Sequence, residues 1–102
     1  MIVAKEKINN SYSRYSGIKV CSIVVTKSGK IYHGVNIENA SYGLSICAER
    51  VAIFKAVSDG EREFEKILIY SPDVKPWPCG ACRQVMAEFF SPDTQIVIAT
   101  EE

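Results

Sequence analysis

Three cysteines and one glutamate carry the chemistry that this chain could perform. Cys47-Ala48-Glu49 is followed some thirty residues on by Pro78-Cys79-Gly80-Ala81-Cys82, a set that offers three thiolates to one metal ion and a carboxylate that need not be a ligand. A structural zinc site is closed by four protein ligands, whereas a hydrolytic one keeps a position open for water and needs a base beside it. Three cysteines plus Glu49 match the second arrangement. Three thiolates on a dication leave a net charge of about −1, which opposes ionisation of a bound water, so a cation belongs nearby. Arg50 is the candidate, because its guanidinium donors can bond a ligand sulfur and withdraw charge. Glu49 then serves as general base and, after that, as general acid.

Two other readings use the same cysteines. A C-x-x-C pair at a helix start also suits a thiol redox centre, but that chemistry does not call for a third cysteine or for the Cys-x-Glu elsewhere. A closed four-cysteine site would take Cys21 as its last ligand, although Cys21 lies mid-strand, where a small buried hydrophobe is the ordinary role. The lone His33, on a strand with apolar neighbours, reads as structural.

These groups need two helix beginnings to hold them. If Cys79 opens a helix, Cys82 lies one turn on and both sulfurs face one ion, while free N–H groups and the helix dipole lower the thiol pKa values. Cys47 and Glu49 are two residues apart, a spacing that does not stack on a regular helix face, so both reach the site only at the start of the other helix. That helix is expected over residues 47–57, where Val51, Ala52, Ile53, Phe54, Ala56 and Val57 are apolar nearly all the way round and suit burial among other elements. Residues 79–90 form the second helix, with Cys82, Val85, Met86 and Phe89 on one stripe.

Strands are expected to carry the helices. Residues 18–26 and 30–37, joined by a Ser28-Gly29-Lys30 turn, read as an antiparallel hairpin. On its second strand the alternation sets Ile31, His33, Val35 and Ile37 on one face and Tyr32, Gly34, Asn36 and Glu38 on the other, so Asn36 and Glu38 point the same way. The runs Ile67-Leu68-Ile69 and Ile96-Val97-Ile98 read as strands covered on both faces of a partly parallel sheet. With a short opening helix around Ile2, Val3, Ala4 and Ile8, the order ββαβαβ predicts an α/β protein with three α/β/α layers and a mixed sheet. Residues 71–78, with three prolines, form the longest loop, in which Trp77 reads as an anchored aromatic ahead of its other reading, a ring offered to the pocket.

Composition bounds what such a domain can do. A chain of 102 residues is one domain, and at this size about 60 to 65% of the unfolded surface can be buried. Twelve basic against twelve acidic groups leave no electrostatic footprint for nucleic acid. Residues 1–10 hold Lys5, Glu6 and Lys7 and no long apolar run, so neither a signal peptide nor a membrane span is expected. A cytoplasmic protein follows, whose cysteines read as metal ligands or redox groups rather than as a disulfide framework.

Cys-x-Glu followed by Pro-Cys-x-x-Cys is the signature of the zinc-dependent nucleobase deaminases, and over residues 12–100 the chain resembles the small, homotetrameric cytidine deaminases of pyrimidine salvage. Tyr15-Ser16, the run Gly34-Val35-Asn36-Ile37-Glu38-Asn39-Ala40-Ser41-Tyr42, Cys47-Ala48-Glu49-Arg50, the run from Phe54 to Gly60, and Pro78-Cys79-Gly80-Ala81-Cys82-Arg83-Gln84-Val85 carry the resemblance. It implies that Cys47, Cys79 and Cys82 bind Zn2+, that Glu49 shuttles protons, that Asn36 and Glu38 hold the ribose hydroxyls, and that Ala48 belongs to the substrate pocket. Ala40 and Tyr42 fall where that family completes the pocket with a neighbouring subunit's loop, and self-association into a tetramer is implied.

Two departures bear on substrate. Ile18 stands where the family has a base-stacking phenylalanine, with Cys21 and Ser22 replacing Gly-Ala, and the sequence stops at Glu102, short of the family's further strand and helix. The expected activity is hydrolytic deamination of cytidine or deoxycytidine. Two rivals are an aminohydrolase of a modified cytosine nucleoside and a zinc-stabilised domain that binds nucleosides or a partner without turnover.

Overall fold

The computed structural model describes residues 2–100. In chain order the elements are α1 (Ile2–Lys7), a 3-10 turn (Ile8–Asn10), β1 (Cys21–Thr26), β2 (Ile31–Val35), a second 3-10 turn (Tyr42–Leu44), α2 (Ala48–Ser58), β3 (Phe64–Tyr70), α3 (Gly80–Phe89) and β4 (Gln95–Ala99). The sheet runs β2-β1-β3-β4, with β1 antiparallel to β2 and β3, and β3 parallel to β4. This is the mixed sheet and ββαβαβ order that the sequence predicts.

Alternation along β1 sorts the layers. Val24 joins Ala52, Ile53, Ala56, Phe64, Ile67, Ile69, Cys82 and Met86 in the core beneath α2 and α3. Cys21 and Ile23 point the other way, into a smaller core with Ala4, Ile8, Val35 and Tyr70 beneath α1. One sheet with helices on both faces gives the α/β/α arrangement. Gly29, at φ +91, turns the β1–β2 hairpin in the left-handed region where a side chain would be strained.

Several expected bounds shift for identifiable reasons. β1 begins at Cys21, not residue 18, because the Val20 N–H and the Ile18 carbonyl are taken by the side chain of Asn36, and only the Val20 carbonyl keeps a backbone partner, the Asn36 N–H. β2 stops at Val35, and Ile37 makes isolated bridges to Tyr12 and Ile46. The all-round apolar α2 is not enclosed: Ala48, Ala52, Ile53 and Ala56 form one buried stripe, while Phe54 is 42% exposed. β4 is not covered on both faces either, since it is the sheet edge and its Ile96 and Val97 are exposed. Among the described residues no helix is long and apolar enough to cross a membrane.

Candidate active site

The two helices bring their first turns together at one point. Cys47 is the N-cap of α2 and Cys79 the N-cap of α3, both with extended backbone. A cap residue stands half outside its helix, which frees Cys47 from the helical spacing and lets its sulfur and the Glu49 carboxylate serve one site. The Cys79 sulfur accepts a bond from the Cys82 N–H at 3.4 Å. Sγ of Cys47 lies 3.4 Å from Sγ of Cys79, which lies 3.2 Å from Sγ of Cys82, and all three fall within 4.8 Å of one another. Cys82 is buried and Cys79 exposed, so the cluster reaches from core to solvent.

The donor set fits zinc. Tetrahedral Zn–S bonds of about 2.3 Å separate two sulfurs by about 3.8 Å, close to the spacing here. The Cys47 thiol is pushed down to about 5, chiefly because Cys82 donates to its sulfur, and the Arg50 guanidinium adds to the effect. The same shared proton raises Cys82; a cation in the cluster takes the place of such protons. Nη2 of Arg50 donates to Cys47 Sγ at 3.8 Å and to the Ser45 carbonyl at 3.5 Å. Its Nε is a buried donor without a partner, so this corner holds positive donors in excess of acceptors, which suits an anionic metal cluster. Cys21 lies on the far side of the sheet, outside the cluster, and burial raises its thiol to about 11. A four-cysteine site is therefore ruled out, and His33 is not among the clustered groups.

Glu49 is 4% exposed and accepts from the Ser22 hydroxyl at 3.5 Å. Burial raises its pKa and the neighbouring Cys47 charge adds to the rise, so the carboxyl takes up a proton more readily than an exposed glutamate. Together with Ala48, Cys47 and Cys79 it lines a cleft of about 460 Å3. That volume lies within the range of about 300–1,000 Å3 usual for small-molecule sites.

Asn36 and Glu38 line the same cleft, as does Tyr42. Asn36 Oδ1 accepts from the Ser11 hydroxyl at 2.6 Å and the Val20 N–H at 2.9 Å, and its Nδ2 donates to the Ile18 carbonyl at 2.9 Å. Glu38 Oε1 accepts the N–H groups of Tyr15 and Ser16, each at 3.0 Å, and Oε2 accepts the Ser16 hydroxyl. These bonds hold its pKa below the usual carboxylate range, the Ser16 hydroxyl contributing most. Ala40 sits in an exposed loop and does not line the cleft, nor does Ile18.

One contact escapes a reading of the sequence, and one expectation is corrected. Ser22 touches Glu49, a contact that the register of β1 could have signalled, because Ser22 shares the helix-facing side with Val24. Trp77 does not anchor its loop: Ser71 and Pro76 are the buried residues, and Trp77 is 62% exposed in the cleft lining. Proline fixes the local backbone and packs as an apolar ring, which leaves the indole free to face the opening.

An α/β/α domain with three converging cysteine sulfurs, two of them in the lining of a cleft that also holds a buried carboxyl, defines a zinc-dependent hydrolase of the open-site kind. The pattern of the cytidine and deoxycytidylate deaminase zinc-binding region matches residues 1–100, and the chain belongs to that family. It is 47% identical over 89 residues to the cytidine deaminase of Halalkalibacterium halodurans, covering 86% of this chain and 67% of that one. It is also 47% identical over 87 residues to the cytidine deaminase of Sporosarcina psychrophila, covering 84% of this chain and 64% of the relative. The chain thus spans about two thirds of the length of these relatives. A crystal structure of cytidine deaminase from Burkholderia pseudomallei superposes with a TM-score of 0.92 at 43% identity, over 99% of this chain and 82% of the other.

Proposed function

We propose that the chain hydrolyses the exocyclic amine of cytidine or deoxycytidine, consuming one water and releasing uridine or deoxyuridine and ammonia. The observation that carries this reading is the buried Glu49 carboxyl in the same cleft wall as Cys47 and Cys79. A purely structural metal site gains nothing from a base.

Cys47, Cys79 and Cys82 would hold Zn2+, which when bound would supply Lewis acidity and make water a nucleophile near neutral pH. Glu49 Oε takes a proton from the attacking water and passes it to ring N3. When the tetrahedral carbon at C4 collapses, the same carboxyl carries the second proton to the departing amine. Arg50 draws charge from Cys47 and so limits the negative charge on the cluster.

Ala48 and Tyr42 border the substrate, and Asn36 and Glu38 receive the sugar. Their protein bonds leave Asn36 one N–H and Glu38 a lone pair on Oε2. One donor and one acceptor match a sugar hydroxyl. Residues 1–102 act as one domain, in the cytoplasm, where reducing conditions keep the four free cysteines available. Self-association into a homotetramer brings Ala40, which stays outside the chain's own cleft, to a neighbouring pocket, while Tyr42 keeps its place in the cleft of its own chain; the exposure of Leu44 at 72% supports such a contact.

The test is ammonia release from cytidine by the zinc-loaded chain beside its Glu49→Gln variant. The variant keeps its zinc and loses about 100- to 10,000-fold in kcat. Equal turnover by the two proteins refutes the role of Glu49, and silence of the correctly metallated chain across cytidine and deoxycytidine refutes the activity.

A further inference from the structure

We infer that Trp77 is the residue that stacks on the pyrimidine ring and sets the affinity for the base, an inference that rests on the deaminase reading above. The cleft has no aromatic ring at position 18, since Ile18 does not line it. Among the described residues two aromatic rings line it: Tyr42, whose ring meets that of Tyr15 edge-on with centroids 6.4 Å apart, and the Trp77 indole, two residues before Cys79 and in the lining that also holds Glu49 and Cys79.

Single exposed aromatic residues are common on protein surfaces and need no explanation. This one is held in place. Pro76 is buried, Pro78 follows, and the Trp77 N–H closes a tight turn on the Lys75 carbonyl at 3.0 Å. The Lys75 ammonium rests 4.9 Å from the centre of the ring, a cation–π contact that restrains it further. Two prolines, a closed turn and a cation on the ring leave few conformations to lose when a ligand arrives, so stacking energy is not spent on ordering the loop.

The occupant this surface suits is a flat heteroaromatic ring. Stacking of a base on an aromatic side chain is worth about 1–3 kcal/mol, or about 5- to 150-fold in affinity. Because the ring belongs to the rim rather than the interior, it acts on binding and not on the proton transfers of Glu49.

Trp77 is the sole tryptophan of the chain, so its fluorescence reports the contact directly. The zinc-loaded Glu49→Gln variant, titrated with cytidine, is expected to show a saturable change in tryptophan emission, with no change on adding ribose. In kinetics of the otherwise unaltered enzyme, Trp77→Ala raises KM for cytidine by about 5- to 150-fold with kcat near the parent value, and Trp77→Phe restores most of the loss. Bound cytidine, followed by equilibrium dialysis, with unchanged emission overturns the inference, as does a Trp77→Ala enzyme with the parent's KM. A Trp77→Ala variant that forms a smaller assembly by light scattering while keeping its KM overturns it too, and assigns the ring to a contact between copies. Absence of both turnover and cytidine binding instead removes the deaminase reading on which the inference stands.

Discussion

Glu49 owes its usefulness to what surrounds it rather than to its type. A glutamate in the first turn of a helix is ordinarily a solvated residue that complements the helix dipole; here it is almost fully buried, beside a thiolate and under one hydroxyl. The Ser22 hydroxyl is itself wholly buried and donates to Oε1. Apo-state contacts to a catalytic carboxylate are commonly long and shorten when the substrate is in place, so the 3.5 Å separation is compatible with an orienting role. Removing the hydroxyl in Ser22→Ala leaves Glu49 freer to rotate. The expected result is a fall in kcat of about 2- to 10-fold, the worth of a net hydrogen bond of roughly 0.5–1.5 kcal/mol, with KM and zinc content unchanged. A kcat equal to the parent's would show that the serine merely fills space.

At the scale of elements, the site depends on how closely α2 approaches β2. A Cβ added to Gly34 would lie 2.5 Å from the Ala48 carbonyl oxygen, 2.5 Å from the Ala52 nitrogen and 2.8 Å from the Val51 Cβ. Two of these obstacles are helix backbone, so the helix itself has to move, and Cys47 and Glu49 at its start move with it. Gly34→Ala is expected to cost about 1–3 kcal/mol of stability, as overpacking does, and to weaken zinc retention against a competing chelator. Gly43→Ala, where the added atom meets nothing within 4 Å, serves as the control. Thermal unfolding and chelator competition that fail to separate the two variants would contradict the close-approach argument. Much of this element layer was legible beforehand, because helix and strand periods, the Cys-x-Glu and Cys-x-x-Cys spacings and the run Ile67-Leu68-Ile69 are local patterns. What was not legible depends on neighbours distant in sequence. Alternation tells that Ile96 and Val97 face opposite ways, but not that β4 ends the sheet. Nor does any local pattern tell that Asn36 and Glu38 are already bonded to residues 11–20, or that Pro76 rather than Trp77 turns inward.

For the whole molecule, the cluster joins the two helices that share a face of the sheet. α2 is fixed by five buried residues, Ala48, Glu49, Ala52, Ile53 and Ala56, whereas α3 buries only Cys82 and Met86. One of the two anchors of α3 is thus a cluster cysteine, and its N-cap Cys79 is another. A domain of this size has little stability to spare, and a metal that binds the folded chain adds RT ln(1 + [metal]/Kd), about 4 kcal/mol at a thousandfold excess over Kd. Chelation should therefore lower the melting temperature, and unevenly across the fold. Amide hydrogen exchange is expected to accelerate most in α3 and least in β1 and β3, which pair with each other at the centre of the sheet. Uniform acceleration would mean that the metal stabilises only the global folded state. Unchanged exchange in α3 would mean that Met86, with Val85 and Phe89 packed against the same core, suffices to hold the helix, and that the cluster serves the reaction without serving the fold.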